Sequence, residues 1–242
     1  MKTGANEQGG HAQTYCASLI ARGDADFHLS HFYALDEDRR AVQALFAFLI
    51  ELRRIPAAVS EPPLGEIRLQ WHRDALDEIV AGKSARAHPV IEALAASGLV
   101  DHRTRPEFER LIDARARLLY AGEFSSLEDF RGFLREAEAP VARLAVGAAA
   151  TVDHAALDEL GEAYALARFA PAMAPRFAAE AAAQSLRLLD AARARLNPVD
   201  PAAIGATAFL SLARGYAARP DGRPWPAGKR LAMVRAILTG KF

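Results

Sequence analysis

One cysteine, Cys16, in 242 residues excludes an intrachain disulfide framework and any cysteine-rich metal cluster. It reads as a small buried hydrophobe rather than a catalytic thiol. Net charge is absent as well: thirty basic residues cancel thirty acidic ones. Without a basic block there is no electrostatic argument for nucleic acid. Long apolar runs are missing too. Charge-free apolar stretches such as Ala41 to Ile50 and Leu144 to Val152 reach about half of what spanning a bilayer needs, so any membrane contact is peripheral. The first fifteen residues carry neither an apolar signal core nor an Arg-rich amphipathic pattern, which favours the cytoplasm. No stretch alternates with period two, so strands are not expected. Also missing are Gly-x-Ser-x-Gly, a phosphate-cradling glycine loop and a dinucleotide fingerprint.

What is present is helical. With 51% hydrophobic and 25% charged residues the composition is ordinary for a globular protein, and the length suits one all-α domain. Residues 1–13 read as a disordered tail and residues 14–242 as the domain. Thr14 to Arg22 reads as a short helix, followed by a turn at Gly23-Asp24-Ala25-Asp26. Asp36, with Glu37 and Asp38, opens a central helix as cap and first-turn acids rather than as a metal site. Helices also follow from His88-Pro89 to Gly98, from a Thr104/Glu107 capping box to Gly122, and from Ser125-Ser126 through Leu144 with a kink at Pro140. A helix from Asp153 is expected to be cut short by Pro171 and Pro175. Others run from Phe177 to Leu196, ending at Asn197-Pro198, from Asp200 through Tyr216, and from Ala227 to Leu238.

The organising stretch is Leu45 to Leu76, a helix, a proline break at Pro56 and a second helix. Phe46, Leu49 and Leu52 keep helical spacing before the break. After the Val59-Ser60-Glu61-Pro62-Pro63 elbow, Leu64, Ile67 and Trp71 make one apolar stripe, and Leu69, Leu76 and Ile79 another. A helix apolar on two faces is expected to pack on both, at the centre of the domain.

The run Ala47-Phe48, Glu51, Val59-Ser60-Glu61-Pro62 and Gly65-Glu66-Ile67-Arg68-Leu69-Gln70-Trp71, with Arg73-Asp74-Ala75-Leu76, resembles the squalene/phytoene synthase family. The resemblance extends from about Tyr15 to Leu238. It implies an isoprenoid-synthase-type helical bundle with an apolar cavity and two aspartate-rich motifs that hold magnesium against a leaving diphosphate.

Aligned through the elbow, the carboxylate positions of the first motif fall on Ala57 and Glu61. The second motif, expected after Leu160-Gly161, reads Ala165, Arg168, Pro171, Ala172, Pro175 and Arg176. Arginine repels the cation that those positions should bind. Two substitute sites are weak. Asp74 and Glu78 read as part of a surface face on which Arg73 and Asp77 pair, and His28-x-x-His31 reads as polar packing rather than zinc ligation.

The resemblance is therefore to a branch without catalysis, similar to the mitochondrial complex I assembly factor. It implies a lipid-pocket or scaffold protein with no metal and no cofactor, cytoplasmic or peripheral to the inner membrane. An isoprenoid or other lipid in an apolar cavity, and a protein partner, are the implied partners. The alternative is an active, magnesium-dependent prenyltransferase. A metal-free site for an anionic head group is also expected, built from Arg68, Arg73, Arg168 and Arg176.

Overall fold

Two helices in this chain are buried on every side along part of their length, and each gathers a set of neighbours. The computed structural model describes residues 3–120, 122–147, 152–196, 199–222 and 225–242; the expected helix end at Asn197-Pro198 lies outside them. All regular structure among these residues is helical. Two compact units result, one of Met1–His28 and Asp36–Ala121, the other of Leu29–Leu35 and Gly122–Phe242.

The first unit starts with α1 (Thr3–Gly23), which begins well before the expected Thr14. The expected turn after it becomes a short helix, α2 (Ala25–Ser30), because the Asp24 carboxylate accepts from the backbone N–H groups of Asp26 and Phe27 at 3.0 and 3.1 Å. Such a side-chain cap satisfies donors that a helix start leaves bare. The same carboxylate pairs with Arg53 at 2.7 Å.

Next comes α3 (Asp36–Ala58), with every residue from Val42 to Ile50 buried. A helix apolar all round belongs inside a core. It packs against α1, α4 (Pro62–Val80), α5 (Pro89–Ser97) and α6 (Arg105–Tyr120). Pro56 does not end α3, which runs on to Ala58. A proline near the end of a helix removes one backbone bond and leaves the turns before it intact.

The expectation for α4 is corrected. Leu69, Ala75 and Leu76 are buried, whereas Leu64 and Ile67 are 47% and 66% exposed and Trp71 is half-buried. The centre of the unit is α3. The Thr104/Glu107 capping box does not form either. Thr104 Oγ1 instead accepts from the Asp101 N–H at 3.0 Å, and Asp101 Oδ1 accepts from the N–H groups of Arg103 and Thr104.

In the second unit, α7 (Leu127–Ala137) starts on Ser126, whose hydroxyl accepts from the Asp129 N–H at 3.1 Å. Pro140 opens a separate helix, α8 (Pro140–Val146). Then α9 (His154–Met173), capped by Asp153, runs straight through Pro171, contrary to expectation, and is buried continuously from Leu160 to Ala167. Around it lie α7, α8, α10 (Ala178–Arg195) and a broken run. That run was expected as one helix. It is α11 (Pro201–Ala206), a 3-10 segment at Ala208–Leu212 and α12 (Ala213–Ala217). The chain finishes with α13 (Pro226–Thr239).

Candidate functional site

The two degenerate motifs lie in different surroundings. Ala57 is exposed on the last turn of α3, and Glu61 is exposed at the start of α4, where its side chain makes no capping bond. In the second unit Ala165 is buried and Ala172 exposed. Arg168 is held on aromatic faces, 5.5 Å from the Tyr164 centroid and 4.9 Å from that of Phe169, and it donates to the Tyr164 hydroxyl. Arg176 donates to the Phe124 carbonyl and lies 4.7 Å from the Phe177 ring. Among the described residues no three His, Cys, Asp or Glu side chains are grouped so as to hold a metal ion.

The four arginines expected around an anionic head group are not alike. Arg73 is spent on α6, pairing with Glu109 at 2.5 Å and Asp113 at 2.6 Å. The Arg73–Asp77 surface pair is therefore not made; Asp77 is paired with Arg105 at 2.7 Å. Glu78 is paired with Arg86 at 2.8 Å, while Asp74 accepts from Gln70 and lies 3.7 Å from Arg86. Those carboxylates are engaged by cations, as a surface face requires. Arg68, exposed on α4, lines a cavity within its unit.

That cavity, an open cleft of about 470 Å³, is lined by the end of α3, the middle of α4 and the start of α5. Ile55, Ile67 and Trp71 form apolar wall, Arg54 and Arg68 supply positive charge, and Glu51, His72 and His88 supply polar atoms. Its size falls within the range of small-molecule sites, roughly 300–1,000 Å³. Trp71 is edge-on to both imidazoles, with centroids 5.1 Å from His72 and 5.4 Å from His88, and Arg86 lies 5.4 Å from its ring.

Electrostatics mark this as an unusual place. Burial pushes the Glu51 carboxyl up to about 7, against a partial opposing pull from Arg54. Burial pushes His72 down to about 4, and His88 also titrates below its ordinary range. In each case a low-dielectric environment disfavours the charged form. Glu51 Oε2, His72 Nδ1 and His88 Nδ1 are all buried without a hydrogen-bond partner among the described residues. Unpartnered polar atoms on an apolar cavity are a standing invitation to a ligand with matching donors or acceptors. Cys16 is fully buried, and burial together with Glu51 raises its thiol to about 12, so it is no nucleophile at neutral pH.

Glu51 and Trp71 lie in the run that carries the family resemblance. Spacing alone gives no sign that Glu51, His72 and His88 meet, since they come from α3, α4 and the residue that precedes α5.

Residues 20–176 match the model of the squalene/phytoene synthase family. The chain belongs to that family. A dehydrosqualene synthase crystal structure superposes with a TM-score of 0.72 over 97% of this chain and 98% of that one, at 12% identity. The squalene synthase HpnC from Alicyclobacillus acidocaldarius gives 0.66 over 95% and 94%, at 16% identity. These likenesses establish the all-α isoprenoid synthase fold. Relatives by sequence include "NADH dehydrogenase (ubiquinone) complex I, assembly factor 6" of Mus musculus, 25% identical over 119 residues, and its Drosophila melanogaster homolog, 28% identical over 116. The matched segments are 49% and 46% of this chain and 35% of each relative, so the chain spans about a third of those proteins' length.

Proposed function

We propose that this chain is a squalene/phytoene synthase family member without prenyltransferase activity, acting as a lipid-pocket or scaffold protein. Its role would be of the kind named for the complex I assembly factors it resembles. The observation that carries the reading is the residue content of the two motifs. Ala57, Ala165 and Ala172 offer no ligand, Arg168 and Arg176 are cationic and already engaged, and Glu61 is the one carboxylate. Diphosphate departs only when divalent cations, held by several carboxylates, neutralise its developing charge. These residues do not fit magnesium, and no metal or other cofactor belongs to the proposal.

The pocket half of the reading is supported by the cavity at Glu51, Trp71 and Arg68, with Arg54 and Arg68 as direct, metal-free contacts for an anionic head group. Peripheral membrane contact is part of the proposal; no helix among the described residues is long and apolar enough to cross a membrane.

Incubation with farnesyl and geranylgeranyl diphosphate plus magnesium tests the loss of activity, with neither diphosphate release nor a condensed hydrocarbon expected. Turnover would instead establish the alternative, a working prenyltransferase, which the retention of a synthase fold over 97% of the chain favours. Calorimetric titration with farnesyl diphosphate in EDTA tests the pocket. Binding that weakens in Arg68→Gln supports it, and binding only with magnesium rejects it.

A further inference from the structure

We propose that α13, together with the basic cavity beside it, docks on the headgroups of an anionic lipid bilayer. This does not depend on the loss of prenyl transfer.

The argument starts with what α13 leaves uncovered. Leu231, Val234 and Leu238 are 71%, 39% and 80% exposed, while Met233 and Ala236 are buried. At 3.6 residues per turn the three exposed side chains fall within about 60° of the helix circumference, on the side away from the buried pair. Arg230 and Arg235 flank this stripe, one on each side, and both are exposed. Residues 226–242 contain Lys229, Arg230, Arg235 and Lys241 and no acidic residue at all. An apolar stripe bordered by cations is the pattern of a helix that lies in a membrane interface.

The second observation is independent. On the Arg235 side of the helix lies a cavity of about 890 Å³, whose lining includes Arg193, Arg214, Arg235 and Lys241 and no acidic side chain. Arg193 is held below the usual guanidinium range by burial and by the neighbouring Arg214 and Arg235 cations, and its Nε is buried without a partner. Asp190, 2.7 Å from Arg214, is the counter-charge to that cluster. Like charges crowded around an open cavity are relieved by an anion, and guanidinium suits phosphate oxygens.

The wall of the cavity is firmly built. The Trp225 indole rests on Gly215, where any Cβ would come within 1.9 Å of the ring. Lys229 fastens α13 to α12 by donating to the Tyr216 hydroxyl at 2.5 Å. A free phosphate would account for the cavity and leave the stripe unexplained, and an apolar partner would do the reverse. A phospholipid surface accounts for both, since its phosphates and its acyl boundary lie side by side.

The test is co-sedimentation of the full chain with phosphatidylcholine vesicles, plain or carrying about one third phosphatidylglycerol, at low and high salt. The chain should pellet with the anionic vesicles and be released by salt. Leu231→Gln/Leu238→Gln, which alters exposed positions only, should lower partitioning about tenfold with an unchanged circular dichroism spectrum. Arg214→Gln/Arg235→Gln should weaken it and flatten its salt dependence. The proposal is overturned by equal binding to plain vesicles, by no binding to anionic ones, or by binding indifferent to the leucine changes. Calorimetric binding of inorganic phosphate without vesicle binding would also overturn it, in favour of a free anion. So would a dimer that Leu231→Gln/Leu238→Gln dissociates and that ignores vesicles.

Discussion

His88 Nε2 lies 3.5 Å from Glu51 Oε1, and burial works against charge on both partners, raising the carboxyl to about 7 and lowering the imidazole. At neutral pH the two do not form an ion pair. They meet as a loose polar contact at the edge of an apolar cavity, each keeping a buried atom without a partner. Polar groups held this way cost folding energy, which a ligand can offset by supplying the missing hydrogen bonds.

Opposite pH dependences should be hidden in this cluster. The Glu51 carboxyl titrates near 7 when folded and near 4.5 when free, so the folded state holds the extra proton and stability falls as pH rises between those values. His72 titrates near 4 folded and near 6.5 free, so the unfolded state holds the extra proton and stability rises with pH across that window. Facing them are Cys16 and Tyr15 from α1, Arg54 on α3, Arg68 on α4, and His88 and Glu92 at the start of α5. In Glu51→Gln the His72 dependence loses its opponent, His88 acts in the same direction, and stability should climb from pH 4 to 6.5. In His72→Asn it should fall from pH 4.5 to 7. Urea unfolding as a function of pH reads both, and parallel profiles in the two variants would refute the assignment.

Glu162 ties α7 to α9. Its carboxylate, almost fully buried, accepts from Arg131 at 2.7 Å and from Arg135 at 2.9 Å. Both arginines also reach Glu128, so they keep one counter-charge when Glu162 loses its own. Glu162→Gln should therefore cost about 1–2 kcal/mol, less than the 3–5 kcal/mol for a fully buried pair broken on one side. Chemical unfolding of wild type and variant measures it. A neutral result would mean that the network merely replaces hydration.

Gly161 on α9 is fixed by the backbone of the segment before α8. A Cβ there would stand 2.8 Å from the Ala139 carbonyl oxygen and 3.0 Å from the Ala139 Cα, neither of which can swing aside. Gly161→Ala should destabilise by about 1–3 kcal/mol, although alanine is intrinsically the better helix former by about 1 kcal/mol. Gly132→Ala on α7, where a Cβ meets nothing within 4 Å, should instead stabilise by up to about 1 kcal/mol. Thermal unfolding of the pair separates packing from propensity, and shifts of the same sign would contradict the close approach.

Where local chemistry decides, the chain was legible. The Ser126, Asp153 and Asp200 caps and the stops near Gly82 and Gly98 are where residue type alone places them. Prolines misled. Pro56 and Pro171 sit inside helices, because surrounding packing outweighs one lost backbone bond near a helix end. Helical spacing predicts Ile67 in the core, yet it stands at a cavity rim, since periodicity reports an apolar face without saying whether anything covers it. Arg73, a candidate head-group contact by sequence, is bound to α6, because a long cation finds its counter-charges across helices as easily as along one.

The amino-acid sequence by itself determined that this is an all-helical member of its family and that its motif positions carry alanine, proline and arginine, with Glu61 as their one carboxylate. Those properties are local: helical periodicity, caps and residue identity at fixed spacing. Only the tertiary structure decided that Glu51, His72 and His88 share a cavity, that Arg73 is spent while Arg68 is not, and that α13 turns an apolar stripe outward beside four cations. Such facts depend on distances between segments far apart along the chain, and those distances are set by how whole helices pack.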